Sequence, residues 1–364
     1  MNRIKILITT SNFHTAGSGK VIFDLINGLD KSKFEVEIAS GNDKGNFFKT
    51  VEALGLPIHI LDTKTSYRPH LTLIFRILRI SKFLKQHQYD IVHSWQWSSD
   101  WSESVASKLA GAKWIYTKKA MGFKSRHWAI KSWLADFIIT INDEMKFYFP
   151  RKKAQRLIPL GIDITHYNPY NFDKKQRTQT FKIITIANLV PVKGIEILIK
   201  AIKIIPDSAV ALTVVGDASL EYGIFLKELV QNLNLTHCIT FIGKKSDIRP
   251  YLANSDVYVI PTLDEGRKEG MPMALVEAMS MGMPVLGSDI SGINFVLRDF
   301  KQLLFKAGDE EALSSKLMYI KGLSVKERDD LGKLLRTYCI NHFSLKSFIE
   351  NHENLYEELA KKKI

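Results

Sequence analysis

Val257-Tyr258-Val259-Ile260-Pro261, a charged loop, Met273-Ala274-Leu275-Val276-Glu277-Ala278-Met279-Ser280-Met281, and then Pro284-Val285-Leu286-Gly287-Ser288 form the stretch that decides the fold. The two outer runs are short and apolar without strict alternation, the pattern of strands covered on both faces. The middle segment has helical length and is apolar on nearly every side, so it predicts a buried helix. Strand, buried helix and second two-faced strand make a βαβ unit with parallel strands.

The alternation extends in both directions. Lys182–Asn188, Ala211–Gly216, Ile239–Gly243 and a weak Leu303–Phe305 read as further strands, with helices over Gly194–Ile205 and Leu220–Leu233. The first half repeats the pattern with Ile4–Thr10, Phe34–Ala39, Pro57–Leu61, Asp90–Trp95, Trp114–Thr117, Phe137–Asn142 and Arg156–Leu160. Helical periodicity there covers Val21–Leu29 and Leu71–Lys85. This predicts an α/β protein of two Rossmann-like doubly wound domains facing a central cleft, with ligands at the carboxyl ends of strands. The first domain spans 1–165. A polar stretch rich in Pro, Asn and charge, 166–180, reads as a linker. The second domain spans 181–343, and residues 344–364 predict a C-terminal helix packing back on the first domain.

The 364 residues are 45% hydrophobic and 24% charged, a balance that excludes intrinsic disorder. Two cysteines, Cys238 and Cys339, exclude a disulfide framework and a Cys-based zinc site. Nothing at the N-terminus reads as a signal peptide and no apolar run reaches membrane-spanning length, so the expected setting is cytoplasmic. The formal charge of +13 is uneven: residues 1–165 hold 25 Lys+Arg against 14 Asp+Glu, and residues 166–364 hold 26 against 24. The first half is therefore expected to meet an anionic partner.

Three motifs carry candidate chemistry. Thr15-Ala16-Gly17-Ser18-Gly19-Lys20 follows the first strand, but Val21 after Lys20 excludes a P-loop and Ile22 excludes the third glycine of a dinucleotide fingerprint. What remains is a set of helix N-terminal N–H groups able to meet a phosphate or a sugar hydroxyl, or else a tight turn. Asn188-Leu189-Val190-Pro191-Val192-Lys193-Gly194 places Lys193 at a helix start. There it opposes the helix dipole unless an anion is bound. Glu269 and Glu277 stand eight apart, one before the buried helix and one in its second turn. A carboxylate in such a helix needs a partner: a ribose diol, or an internal arginine or backbone contact. The N–H groups of Met273 and Ala274, after Pro272, are free for a phosphate.

Glu269-Gly270-Met271-Pro272…Glu277-Ala278-Met279…Gly282-Met283-Pro284-Val285 resembles the Glu-x7-Glu motif of glycosyltransferase family 4, the retaining nucleotide-sugar transferases of GT-B fold. Leu160-Gly161-Ile162-Asp163, Lys193-Gly194, Val215-Gly216, Phe241-Ile242-Gly243, Ser288-Asp289 and Gly292 follow in the family's order. The resemblance implies transfer of a sugar from a nucleoside diphosphate sugar to a glycan or lipid-linked hydroxyl, in bacterial polysaccharide or lipopolysaccharide synthesis. It makes the first domain the acceptor side and the second the donor side. It implies that Glu277 binds the donor ribose, Glu269 the transferred sugar, and Lys193 the diphosphate, helped by Met273, Ala274 and Gly17. Asn188 and Gly216 join the donor set, and Gly243 borders the base. Ser18 and Lys119 become the acceptor set, and Glu269, Lys193 and Lys119 the catalytic set. Trp95 and Trp97, which follow a strand end, either join the acceptor set by lining the acceptor cleft or serve plain packing.

The chain departs from the family in two places. Asn188 stands where the family has arginine, and Lys119, in Thr117-Lys118-Lys119, stands where it often has histidine. Lys119 is expected to neutralise the donor phosphate in place of the missing arginine, or to bind an anionic acceptor. No metal or other cofactor is expected. Nucleic acid is excluded as a partner for want of any binding signature. The segment Pro69–Lys85 sets Leu71, Leu73, Ile74, Phe75, Ile77, Leu78, Ile80, Phe83 and Leu84 beside Arg76, Arg79, Lys82 and Lys85, either a helix lying on anionic lipid or a helix packing on its sheet. A sugar-nucleotide 2-epimerase of the same architecture and a descendant without activity are the alternative readings.

Overall fold

Every strand expected from the sequence forms, with ends shifted by at most three residues. The computed structural model describes residues 3–14, 16–122, 125–173, 179–206, 209–266 and 269–361. The chain divides into two compact units, Met1–Gly161 with Leu345–Ile364, and Ile162–Ser344.

In the first unit the strands are β1 (Ile4–Thr10), β2 (Phe34–Ser40), β3 (Ile58–Ile60), β4 (Ile91–Ser94), β5 (Lys113–Lys118), β6 (Phe137–Thr140) and β7 (Gln155–Leu157). They pair in parallel in the order β3-β2-β1-β4-β5-β6-β7. The helices are α1 (Ala16–Gly28), α2 (Asn46–Glu52), α3 (Leu73–His87), α4 (Ser102–Leu109) and α5 (Arg126–Leu134). Ile77, Ile80 and Leu84 of α3 pack with Leu7, Val92, Trp114 and Ile138 in one apolar cluster.

The sequence pattern misses α2, α4 and α5. The inner face of α4 explains why: Ser102, Glu103, Ser104 and Ser107 are buried there. Glu103 accepts hydrogen bonds from Thr63, Ser94 and the Trp114 indole. A polar but satisfied inner face leaves no hydrophobic period to read.

The C-terminal helix, Leu345–Lys361, completes this unit. Gly28 leaves room for Ile349. Tyr356 OH bonds His93 Nδ1 at 2.7 Å, and His93 Nε2 bonds Thr117 Oγ1 at 2.8 Å. Arg156 pairs with Glu358 at 2.7 Å.

The second unit repeats the plan with β8 (Phe181–Ile186), β9 (Val210–Val215), β10 (Ile239–Phe241), β11 (Val257–Ile260), β12 (Val285–Ser288) and β13 (Leu304–Phe305). The order is β10-β9-β8-β11-β12-β13, again parallel. Its helices are α6 (Ile195–Ile204), α7 (Glu221–Asn232), α8 (Arg249–Ala253), α9 (Met273–Ser280), α10 (Ser291–Val296), α11 (Glu310–Gly322) and α12 (Val325–Phe343). The expected Met273–Met281 helix is α9, and Leu275, Val276, Ala278 and Met279 are buried as its pattern requires. Residues 162–173, polar enough to read as linker from 166 onward, fold within this unit. Asp163 Oδ1 accepts from the N–H groups of Thr165 and His166 at 2.9 and 3.0 Å, turning the chain.

Candidate active site

In the second unit the strand order reverses between β8 and β11. Chains leaving those two strands diverge, and the crevice outside their carboxyl ends is where such sheets hold ligands. The β8 exit carries Asn188 through Gly194, and the β11 exit carries Thr262 through Pro272. The segments singled out at 188–194 and 269–277 therefore rise from the two lips of one crevice.

Two glycines close the distance between them. Lys193 ends a short 3-10 turn, Pro191–Lys193, and Gly194 follows with φ 63°. A β-carbon at 194 would overlap the Pro261 carbonyl at the end of β11. The Leu263 N–H donates to the Val192 carbonyl at 2.9 Å, fixing the two exits together. On the far side a β-carbon at Gly292 in α10 would lie 2.7 Å from the Gly270 carbonyl and overlap that of Glu269. With these approaches the Lys193 ammonium meets Glu269 Oε1 as an ion pair. Both side chains are partly open to solvent, 24% and 18% exposed.

Pro272 takes the N-cap position of α9 in extended backbone, just outside the first turn where the sequence places it. The N–H groups of Met273 and Ala274 are the first of the helix, and Pro272 supplies no side-chain cap. Glu277 lies in the second turn, half-buried. It accepts a hydrogen bond from the Tyr167 phenol, whose pKa is raised by burial first and by this carboxylate second. Tyr167 is held by its own carbonyl, which accepts from Ser280 Oγ at 2.8 Å and Arg336 Nη1 at 2.9 Å. Below the two glutamates, Tyr258 is fully buried. Its OH and Thr262 Oγ1 have no hydrogen-bond partner among the described residues.

Asn188 is exposed beside this crevice. Gly216 fits closely under the Ala187 carbonyl and Leu189, which makes it a packing glycine at the β9 exit. Its N–H donates to the Gly243 carbonyl at 3.1 Å. Gly243 turns the chain after β10 with φ 73° and open space around it.

The first unit has its own reversal, between β1 and β4. Gly17 is exposed in the first turn of α1, so the glycines lie inside the helix rather than in a loop before it. Ser18 is in the same turn. Its side chain, like Thr15, Phe123 and Lys124, lies outside the described residues. Beyond β4, Trp95 is buried and Trp97 is 51% exposed. Lys119 follows β5, half-buried, with Nζ 6.0 Å from the centre of the Trp95 ring. Trp95 is thus a wall behind Lys119, and Trp97 is the indole that reaches solvent.

Sequence reasoning missed three residues here. Tyr167 sits in what reads as linker, and the only visible clue is the Asp163-x-Thr165 turn before it. Lys118 and Lys131 read as surface charge but are buried, 2% and 1% exposed. Lys118 Nζ donates to the carbonyls of Ala120 and Gly122 at 2.5 and 2.9 Å, and Lys131 Nζ to that of Ser98 at 2.9 Å. They hold from beneath the two loops that present Trp97 and Lys119. Burial lowers the pKa of each to about 8.

Two parallel doubly wound units of this kind define the GT-B glycosyltransferase fold. The crystal structure of a glycosyltransferase from Rickettsia africae ESF-5 is 18% identical with a TM-score of 0.88, over 99% of this chain and 100% of that one. Anabaena Alr3699/HepE in complex with UDP is 17% identical with a TM-score of 0.82, over 98% and 100%. Two family models match, "Glycosyltransferase Family 4" over residues 15–166 and "Glycosyl transferases group 1" over residues 168–336. The chain belongs to glycosyltransferase family 4. Among curated relatives, the Escherichia coli UDP-Gal:alpha-D-GlcNAc-diphosphoundecaprenol alpha-1,3-galactosyltransferase is 26% identical over 320 residues, covering 78% of this chain and 79% of its own length.

Proposed function

We propose that this protein transfers a sugar from a nucleoside diphosphate sugar to a hydroxyl of a glycan or lipid-linked acceptor, with retention at the anomeric carbon, in bacterial cell-surface polysaccharide synthesis. The observation that carries the reading is the pairing of Lys193 with Glu269 across the crevice between β8 and β11, beside Glu277 in α9. The printed name of the Escherichia coli relative, a galactosyltransferase acting on a diphosphoundecaprenol-linked sugar, supports a lipid-linked acceptor. The UDP in the Anabaena complex supports a nucleotide donor.

In this reading charge builds on the departing diphosphate as the glycosidic bond lengthens. Preorganised donors stabilise it: Lys193 and the uncapped N–H groups of Met273 and Ala274. The Glu277 carboxylate, with Tyr167 on one oxygen, takes the ribose hydroxyls. Glu269 turns from Lys193 to the hydroxyls of the transferred sugar. In the first unit, Trp97, Ser18 and Lys119 receive the acceptor. The diphosphate's charge is carried by these groups, so no resident cofactor enters the reading.

The acceptor side also carries a lipid-facing surface in this proposal. Helix α3 buries Ile77, Ile80 and Leu84 on one face and exposes Phe75, Ile74 and Leu78 on another, with Leu71 90% exposed just before it. Arg79, Lys82 and Lys85 are exposed along the same helix. An apolar stripe flanked by cations suits an anionic membrane surface.

The test is a panel of nucleotide sugars with lipid-linked acceptors, read by release of free nucleoside diphosphate and by NMR of the product's anomeric configuration. Product formation that disappears in Lys193→Ala is the expected result. An epimerised nucleotide sugar with no glycosylated product would replace the reading with the 2-epimerase one.

A further inference from the structure

We propose that Glu37, His59 and His87 form a divalent-metal site, best suited to Zn2+, on the sheet of the first unit. The three side chains come from β2, β3 and the last residue of α3, and their ligand atoms all lie within 4.8 Å of one another. Two imidazoles and one carboxylate are a recurrent protein donor set for zinc, with water in the fourth position.

The hydrogen bonds around the cluster favour a metal in two ways. His87 Nδ1 bonds the Phe83 carbonyl at 2.9 Å, one turn back in its own helix. A carbonyl can only accept, so Nδ1 carries the proton and Nε2 presents its lone pair. Donation of the second ring N–H to a backbone carbonyl is the arrangement that orients metal-bound histidines. His87 also ends its helix, where unsatisfied carbonyls favour a cation.

His59 Nε2 bonds Glu37 Oε2 at 2.7 Å. A metal would take the place of the proton in that bond: His59 keeps one proton, on Nδ1, and coordinates through Nε2. Glu37 Oε2 also accepts from Tyr89 OH at 2.5 Å, a bond that orients the carboxylate. The opposing element is Lys5, whose ammonium lies 2.8 Å from Glu37 Oε1. It occupies Oε1, leaving Oε2 to His59 and Tyr89, and weakens the site by repulsion.

The site faces the α3 side of the sheet in mid-strand, away from the carboxyl-end segments with Trp95 and Lys119. Its role is therefore structural: it ties β2, β3 and the end of α3 together. The three residues are 22 and 28 positions apart in the chain, so no short metal-binding spacing marks them.

Zn2+ titrated calorimetrically into the chelator-treated full chain tests this, with Co2+ absorption reporting the ligand geometry. Wild type is expected to bind one equivalent of Zn2+ and to melt at a higher temperature with it. His87→Gln and His59→Gln should each weaken binding by more than roughly 100-fold, beyond what loss of an outer hydrogen bond alone produces. The exposed His237→Gln should bind as wild type does. Melting of each variant without metal separates a lost ligand from a lost fold. Failure of wild type to bind Zn2+, or binding unchanged in both ligand variants, would overturn the proposal.

Discussion

Lys193 and Glu269, 76 residues apart, neutralise each other across the crevice where the strand order of the second unit reverses. Each is partly solvated, so their mutual attraction is worth only about 0–1 kcal/mol. That is weak enough for a diphosphate, with two or more negative charges, to take the lysine away. In the proposed reading the ion pair thus keeps Lys193 in place without locking it.

A counter-intuitive effect of Glu269→Gln follows. The substitution removes the carboxylate that competes with a diphosphate for Lys193. Affinity for the free nucleoside diphosphate should rise, by up to about fivefold, the equivalent of about 1 kcal/mol. Turnover of the nucleotide sugar should fall at least tenfold, because the contact to the transferred sugar is lost. Calorimetric titration beside steady-state kinetics reads both. Lower affinity for the diphosphate would mean that Glu269 assists binding rather than competing with it.

Tyr167→Phe removes the phenol's hydrogen bond to Glu277 and keeps the ring. The loss should weaken nucleoside diphosphate binding by roughly 1 kcal/mol, about fivefold, through a less well-oriented carboxylate. Arg336→Ala should produce a similar loss from a distance, since Arg336 holds the Tyr167 carbonyl. Unchanged dissociation constants in both variants would separate Glu277 from the nucleotide.

The fold was legible because strands covered on both faces are continuous apolar runs, and thirteen of them betray a parallel α/β chain whatever their side chains do. Lys193, Glu269 and Glu277 were legible because a cation at a helix start and carboxylates around a buried helix conflict with plain folding. Tyr167, Lys118 and Lys131 conflict with nothing in the sequence. A tyrosine in a polar stretch and lysines at loop ends are ordinary until burial is known. The meeting of Lys193 with Glu269 rests on close backbone approaches at Gly194 and Gly292, and glycines alone do not announce which backbone they will touch.

Helix α3 offers a charge test. Arg79, Lys82 and Lys85 changed together to glutamate should abolish binding to vesicles rich in anionic lipid, since each basic residue near such a surface contributes about 1 kcal/mol. Phe75→Asp should weaken binding at every salt concentration, whereas salt should weaken wild-type binding by screening. Flotation assays measure this. Vesicle binding indifferent to salt and to both variants would exclude α3 as the lipid-facing surface.

Lys131 predicts an unusual dependence of stability on pH. Burial lowers its pKa from 10.5 to about 8; Glu103 and Asp100 partly offset this, and Lys64 adds to it. Below about pH 8 the folded and unfolded chains both carry the proton, and the folded chain bears the full burial penalty. Between about pH 8 and pH 10.5 the unfolded chain holds more protons than the folded one, so this residue makes stability rise with pH. The gain is on the order of 3 kcal/mol across that interval. Lys118 contributes with the same sign, and part of its own lowering comes from Lys131. Lys131→Met should therefore flatten the rise by more than half, and should leave the protein no less stable at neutral pH despite the lost bond to the Ser98 carbonyl. Urea unfolding at several pH values between about 7 and 10 gives the slope directly. Equal slopes for wild type and variant would show that the ammonium reaches solvent in the folded protein and that the loop at Ser98 is held by something else.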